Sequence, residues 1–246
     1  MTIAEQIERA KTDYDKVYEA GQKASGGGYD EGFEAGKQAE YNRFWDNYQI
    51  NGTRVNYQYG AFGGTGWNDE TYKPKYPITA KYAYNMYMGC QVTEILGIDF
   101  STVVELNGVF RECSALIRVG VVDGSTASNA TACFSGAIRL QTIDEFIVNP
   151  SMTFLNTFAN CKALANIVIG GTIGNDISFN ASPLSKDSII SIITHLSDTT
   201  SGKTLTLMKS AVNTAFETSS GAANGSNSDE WNNLIATKSN WNISLV

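Results

Sequence analysis

The chain has 246 residues and a formal net charge of −7, enough length for one elongated domain with appendages or for two compact domains. Its pI near 4.8 argues against a nucleic-acid partner, because binding to phosphates requires a basic stripe. No apolar run approaches the roughly 18 to 20 residues that span a bilayer, so no membrane partner is predicted either.

The first 25 residues carry a capping box, Thr2 with Glu5, followed by a heptad pattern. The seam positions are Ile3, Ile7, Ala10, Tyr14, Val17, Gly21 and Ala24. One interpretation is an oligomerising stalk that forms a homotrimer, with help from elsewhere because three heptads alone are marginal in water. The alternative is an amphipathic helix packed on its own chain. The N-terminus lacks the features of a secretory signal, which indicates a removed leader or assembly in the cytoplasm.

Residues 26–85 are expected to form a second helix, at about 29–49, and an aromatic-rich N-terminal cap. Three glycines at 26–28 separate this region from the first helix, and thirteen aromatic residues lie between Tyr41 and Tyr87. Large rings suit a lid over the first open rung of a repeat structure. They also suit sugar binding, for which Trp67, Asn68 and Asp69 are the candidate contacts.

One pattern recurs at a step of 24 residues between about Met86 and Ile177. Each copy holds a large apolar residue, then a small, an aliphatic and a branched residue at intervals of three. The four columns are Met86, Phe110, Phe134 and Phe158; Gly89, Cys113, Ala137 and Cys161; Val92, Leu116, Leu140 and Leu164; and Ile95, Val119, Ile143 and Ile167. A unit this short cannot bury its own apolar face, so the copies must stack strand on strand. The pattern predicts a solenoid of about four rungs over residues 86–181.

The end of each copy follows the rhythm L-x-x-I-x-I, as in Leu164, Ile167 and Ile169, and as in Leu116, Val119 and Val121. The last aliphatic residue is missing at Gly97 and Glu145. There we expect a local slip that brings in Ile98 in one copy and Phe146 or Ile147 in the other.

The segments 110–116 (F-R-E-C-S-A-L) and 158–164 (F-A-N-C-K-A-L) resemble the F-x-x-C-x-x-L unit of BspA-like leucine-rich-repeat proteins. Segments 41–48, 183–190 and 204–207 resemble sequences that accompany such repeats in phages and prophages of gut bacteria. The resemblance implies an α/β leucine-rich-repeat solenoid and, by analogy, a virion or surface-recognition role.

Residues that alternate with the core positions are expected on an exposed strand face, where several of them are apolar. We predict a partner-binding surface formed by Leu96, Ile98, Arg118, Val122, Phe146 and Val168. The alternative is that another segment of the same chain covers this face.

The cysteines are not predicted to pair. Cys113 and Cys161 fall two rungs apart in one column, roughly 9 to 10 Å, and Cys90 and Cys133 fall at other positions. With a single histidine, His195, and no C-x-x-C pair, no metal site is predicted.

No catalytic motif or cofactor site is found in the sequence. The neighbours Asp144 and Glu145 are expected to point to opposite faces of a strand, so they are not a catalytic dyad.

Residues 182–246 are expected to form an α/β C-terminal cap. Ser185 is the N-cap of a helix that carries Ile189, Ile190, Ile193 and Leu196. A strand at 204–208, a helical turn around 231–236 and a terminal strand at 241–246 complete the prediction.

The leading hypothesis is a non-enzymatic phage or prophage virion protein, a tail-fibre or head-fibre type appendage assembled in the bacterial cytoplasm. Its partners would be itself, other virion proteins and a protein or glycan of the host surface. The alternatives are a BspA-like adhesion or interaction module on the bacterial cell surface, and a carbohydrate-binding module that uses the aromatic-rich region.

Overall fold

The computed structural model describes residues 71–72, 83–216 and 228–246. They form a parallel β-solenoid of about five turns with rungs of about 24 residues, followed by a small α/β unit. The predicted stacking of repeats of about 24 residues is therefore confirmed, with about five turns where about four were predicted. Its strands pair in chain order and are β1 (Thr71–Tyr72), β2 (Glu94–Ile95), β3 (Arg118–Asp123), β4 (Thr142–Val148) and β5 (Asn166–Gly171).

The remainder of each rung is a series of tight turns that also bond from rung to rung. The amides of Leu106, Gly108, Phe110 and Glu112 donate to carbonyls of the next rung at 2.7–3.0 Å. The amides of Val109 and Arg111 bond within the turn, to the carbonyls of Leu106 and Gly108, and the backbone is left-handed at Gly108 and Glu112. The same left-handed pair recurs at Ala132 with Gly136 and at Asn156 with Asn160. The repeat of 24 residues thus reflects a repeated backbone conformation as well as an apolar pattern.

A column of stacked aromatic rings fills the core. Phe110 stacks on Phe134 and Phe134 on Phe158, with centroids 5.2 and 5.5 Å apart. The first member of the column is Tyr87, whose ring lies 5.7 Å from that of Phe110, so the assignment of Met86 was wrong. The step from the first rung to the second is therefore 23 residues, one fewer than the later steps. Both Met86 and Tyr87 are buried, so hydrophobicity alone could not show which of them belongs to the column.

The one-residue difference also corrects the column of small residues. Cys90, not Gly89, occupies the position equivalent to Cys113, and the two Sγ atoms are 3.3 Å apart. The prediction that Cys90 lies outside this column was therefore wrong.

The strands contain a β-bulge that the period-2 pattern did not predict. In β5, Ile167 and Ile169 are buried, whereas in β4 the buried residues are Ile143, Phe146 and Val148. The pairing of β4 with β5 shifts between Ile143 and Phe146, which leaves Asp144 and Glu145 opposite Val168. The expectation that Phe146 replaces the missing aliphatic residue is confirmed.

Strand β3 pairs with β4 without a change of register. Its side chains therefore change faces at the same position as those of β4. Val122 is buried in β3, whereas Val121, which was expected to point inward, is 46% exposed. Ile98 lies beyond β2 and is buried as well, at 6% exposure. An extra residue in a strand moves every later side chain to the other face. For this reason the rhythm of Leu116, Val119 and Val121, which placed Val121 inward, was wrong at its last position.

The C-terminal unit has a parallel three-stranded sheet with three helices around it. The strands are β6 (Ile177–Phe179), β7 (Lys203–Leu207) and β8 (Trp241–Leu245), paired in that order. The helices are α1 (Lys186–Thr194), α2 (Lys209–Ala215) and α3 (Asp229–Ala236). Phe179 of β6 continues the aromatic column, with its ring 4.4 Å from that of Phe158. The predicted helix after Ser185 and the predicted strands are confirmed, with shifts of one or two residues at their ends.

Helix α1 covers the outer edge of β5. Ser185 is its N-cap and accepts a hydrogen bond from the amide of Ser188. The amides of Ile167 and Ile169 donate to the hydroxyl oxygens of Ser188 and Ser191, each at 2.9 Å. One turn of helix therefore places two serine hydroxyls where a further strand would place carbonyl oxygens, and the edge amides are satisfied.

Candidate recognition surface

The outer face of β2 to β5 is the candidate site, and the bulge determines which side chains it presents. Three of the six predicted contact residues are not on it: Ile98, Val122 and Phe146 are buried in the core. The assignment of Val122 and Phe146 was wrong because strict alternation was carried through the extra residue. The assignment of Ile98 was wrong because β2 ends at Ile95, so strand alternation does not extend to Ile98. Arg118 and Val168 are exposed and Leu96 is partly exposed.

Two exposed aliphatic side chains stand out on this face. Val121 is 46% exposed and Val168 is 51% exposed. The opposite face of their strands is packed in the core. Ile147 is half-buried, and a Cβ built at Gly170 would lie 3.1 Å from its Cγ1 atom. Side chains of neighbouring strands therefore lie over the glycine positions and keep the face shallow.

The bulge places two carboxylates on the same outer face. The guanidinium of Arg118 donates to both oxygens of Asp144, at 2.9 and 3.0 Å. Glu145 lies over Gly170, with its Oε1 atom 2.7 Å from a Cβ built there. The expectation that Asp144 and Glu145 point to opposite faces was wrong, because the bulge rotates both side chains outward.

The ion pair fixes the orientation of Arg118 on the face. Hydrogen bonds to Asp144, together with the charge of that carboxylate, raise the pKa of Arg118 above its usual value. The two parallel N–H···O bonds hold the guanidinium flat across β3 and β4. The face therefore presents a polar strip on β3 and β4, which is the ion pair of Arg118 with Asp144.

A depression of about 260 Å³ lies beside this strip, between β4, β5 and the first turn of α1. Its lining is mixed: Ile143, Ile167 and Val168 are apolar, and the hydrogen-bonding residues are Thr142, Asp144, Asn166, Ser185, Asp187 and Ser188. Such a lining suits a ligand that has both apolar and hydroxyl groups.

Sequence analysis missed Val121, Glu145 and Ile147 as face residues. The missing aliphatic at Glu145 was the one available signal, since a charged residue at an inward position indicates a register change. Nothing in the sequence pattern showed that β3 would follow the same shift.

Two other groups of predicted site residues lie outside the described part of the chain. These are the heptad positions Ile3, Ile7, Ala10, Tyr14 and Val17, and the candidate glycan contacts Trp67, Asn68 and Asp69.

Within the described ranges, no three His, Cys, Asp or Glu side chains are placed to hold a metal ion together. His195 is the C-cap of α1, and its Nδ1 atom lies 2.7 Å from the carbonyl oxygen of Ser191. None of the helices in the described segments has the length and hydropathy required to cross a bilayer.

Comparisons with protein-family models, with curated proteins and with solved structures found no match to this chain.

Proposed function

We propose that this chain is a non-enzymatic recognition protein and that the outer face of β3 to β5 binds its partner. The observation that carries the proposal is the half-exposed pair Val121 and Val168, on β3 and β5, with Glu145 of β4 paired with Val121 and opposite Val168. Faces of parallel sheets are normally covered on both sides. A parallel face that keeps large aliphatic side chains in solvent is therefore a good candidate for a surface that a partner covers.

The rigidity of this face also supports recognition. The aromatic column and the hydrogen bonds between rungs fix the strands, so few backbone degrees of freedom would be lost on binding. A mixed strip of aliphatic and charged groups suits a protein surface, and the neighbouring depression suits a glycan, so we propose a protein or glycan of a bacterial host surface as the partner.

For the biological setting we propose a phage or prophage virion appendage of the tail-fibre or head-fibre type, built on leucine-rich repeats of the BspA-like kind. Support for the repeat family comes from the F-x-x-C-x-x-L units, whose Phe and Cys residues are buried in the solenoid core. The heptad at Ile3 to Val17 would join three copies, and light scattering of the full chain and of a chain starting at Tyr29 would test that state.

The test of the recognition face compares two variants with equally exposed targets. One is the double variant Val121→Ser with Val168→Ser, and the other is Ile138→Ser, whose side chain is 47% exposed away from the face. Fluorescently labelled protein is applied to whole cells of a panel of gut bacteria and to a glycan array. We expect the double variant to lose binding and Ile138→Ser to bind as the parent does.

Unfolding in urea shows whether both variants retain the parent's stability, which exposed substitutions should do within about 0.5 kcal/mol. If the parent binds and the double variant binds equally well, the outer face is not the recognition surface.

A further inference from the structure

Cys90 and Cys113 form a pair that the recognition face does not involve. They occupy the same inward column on adjacent rungs, with Sγ atoms 3.3 Å apart. Both side chains are buried, at 1% and 0% exposure. The next positions of the column are Ala137 and Cys161, so Ala137 separates Cys161 from the pair.

We propose that Cys90 and Cys113 are an oxidative modification site, at which a hydroperoxide converts the two thiols into a disulfide between adjacent rungs. Residues stacked in register on neighbouring strands lie about 4.8 Å apart, within the Cα separations of 4.4 to 6.8 Å that a disulfide accepts. The sulfur atoms must approach only from 3.3 Å to about 2.05 Å, so the side chains can close the bond with little backbone movement.

The reaction balances in two steps. In the first, the Cys90 sulfur attacks one oxygen of hydrogen peroxide, the O–O bond breaks, and a sulfenic acid and one water molecule form. In the second, the Cys113 sulfur attacks the sulfenic sulfur, the S–OH bond breaks, and the thiol proton leaves with the hydroxide as a second water. Two thiols are oxidised by two electrons and the peroxide is reduced.

The surroundings favour this order of attack. Contact with the Cys113 thiol lowers the pKa of Cys90, whereas burial raises the pKa of Cys113 well above its usual value. The Sγ–H group of Cys113 donates to the carbonyl oxygen of Tyr87 at 2.9 Å, which also retains its proton. Cys90 is therefore the better nucleophile toward peroxide, and Cys113 is held in contact as the resolving thiol. Both thiols are almost fully buried, so the oxidant must be small, and hydrogen peroxide is close to water in size.

The tryptic map of the chain allows a direct test, because each of the four cysteines falls on its own peptide. These peptides are 82–111, 112–118, 119–139 and 140–162. The folded full chain is treated with excess hydrogen peroxide, and the peroxide is then removed. The chain is unfolded in guanidinium chloride with N-ethylmaleimide, so that remaining buried thiols are blocked, and the unreduced digest is analysed by mass spectrometry. We expect peptides 82–111 and 112–118 to be linked with the loss of two hydrogens, and the other two to carry the blocking group.

Two variants serve as controls. Cys113→Ala should abolish the link, and the column already accepts alanine at Ala137, so the fold should be retained. Cys161→Ala should leave the link intact. A further readout is thermal unfolding, in which the linked chain should melt several degrees above the reduced chain.

Absence of the 82–111 to 112–118 link after prolonged treatment overturns the proposal, as does sulfinic or sulfonic acid at Cys90 without a link. Links that join peptides 119–139 or 140–162 as often as the expected pair also overturn it, since they would indicate exchange in an unfolded chain. None of these outcomes depends on what the outer strand face binds.

Discussion

The rings of Phe110 and Phe134 stack face to face across one rung boundary, with planes 13° from parallel. Phe146 of β4 meets the ring of Phe134 edge-on, at 5.7 Å between centroids and 84° between planes. One side chain therefore contacts the rung below, the rung above and the strand side of the solenoid. This arrangement makes the aromatic column the element that joins the two sides of each rung.

We expect Phe134→Ala to lower the free energy of unfolding by about 3 to 5 kcal/mol, because it removes a fully buried ring and leaves a cavity between two others. Urea unfolding followed by circular dichroism measures the loss. Leu155→Ala is the control, since that side chain is 66% exposed and its removal should cost less than about 0.5 kcal/mol. Equal losses in the two variants would contradict the structure of the column.

Two glycines with the same backbone conformation provide a matched pair for a second prediction. Gly171 and Gly202 have φ values of 77° and 70°. A Cβ at Gly171 would overlap the carbonyl oxygen of Val148, whereas a Cβ at Gly202 would meet nothing within 4 Å.

We expect Gly202→Ala to cost about 1 to 2 kcal/mol, the conformational cost of a left-handed residue. Gly171→Ala should cost clearly more, because the backbone of β4 or β5 must also move. The left-handed conformation is common to both variants. The difference between their urea midpoints therefore measures the effect of the close approach of β4 and β5 at Gly171. Similar midpoints would mean that the end of β5 is not held tightly against β4.

The comparison of sequence and structure shows which features a repeat pattern can reveal. The step of 24 residues gave the correct stacking of Phe110, Phe134 and Phe158, because a buried column needs the same residue type in every rung. It could not detect the shorter first step from Tyr87 to Phe110, since Met86 and Tyr87 are both large and both buried. The side-chain pattern shows the period of the core, but one-residue changes in the backbone decide which neighbouring residue is buried.

The recognition face was harder to predict for the same reason. Because of the bulge at Asp144 and Glu145, Val122 is buried in the core where Val121 was expected, and Phe146 points inward instead of outward. The edge contacts of α1 were also not predicted, since Ser188 and Ser191 resemble ordinary polar residues of a helix surface until the neighbouring strand is known.

Buried thiols give a third prediction, on the pH dependence of stability. Burial raises the pKa of Cys161 to about 12, whereas an unfolded thiol titrates near pH 8.5. Between these values the folded thiol keeps its proton and the unfolded one loses it, so ionisation favours the unfolded chain. The stabilisation is fully present below about pH 8.5 and decreases as the pH rises.

The measurement is urea unfolding at pH 7.5, 8.5 and 9.5, below the pKa values of about 10 at which tyrosine and lysine are half titrated. The parent should lose more stability across this range than Cys161→Ala does, by up to about 1.4 kcal/mol for each pH unit above 8.5. Identical pH profiles would show that Cys161 does not keep its proton in a closed core.

The serine hydroxyls that cover the edge of β5 give the last prediction. Ser188 is 3% exposed, and its hydroxyl accepts from the amide of Ile167 while donating to the carbonyl of Ala165 at 3.1 Å. Ser188→Ala removes both bonds and leaves a buried amide without an acceptor, so we expect a loss of about 1 to 3 kcal/mol. Thr194→Ala is the control, because that exposed hydroxyl bonds only within α1 and its end, to Ile190, Ser191 and His195.

Amide hydrogen exchange distinguishes a local effect from a general one. In Ser188→Ala the amide of Ile167 should exchange faster than in the parent by more than the global loss of stability explains, while the amide of Ile169, which bonds to Ser191, should change less. Unchanged protection at Ile167 would mean that α1 does not supply the acceptor for this edge. In that event the last strand must be closed by another group, and the assignment of α1 as the cap of the solenoid would fail.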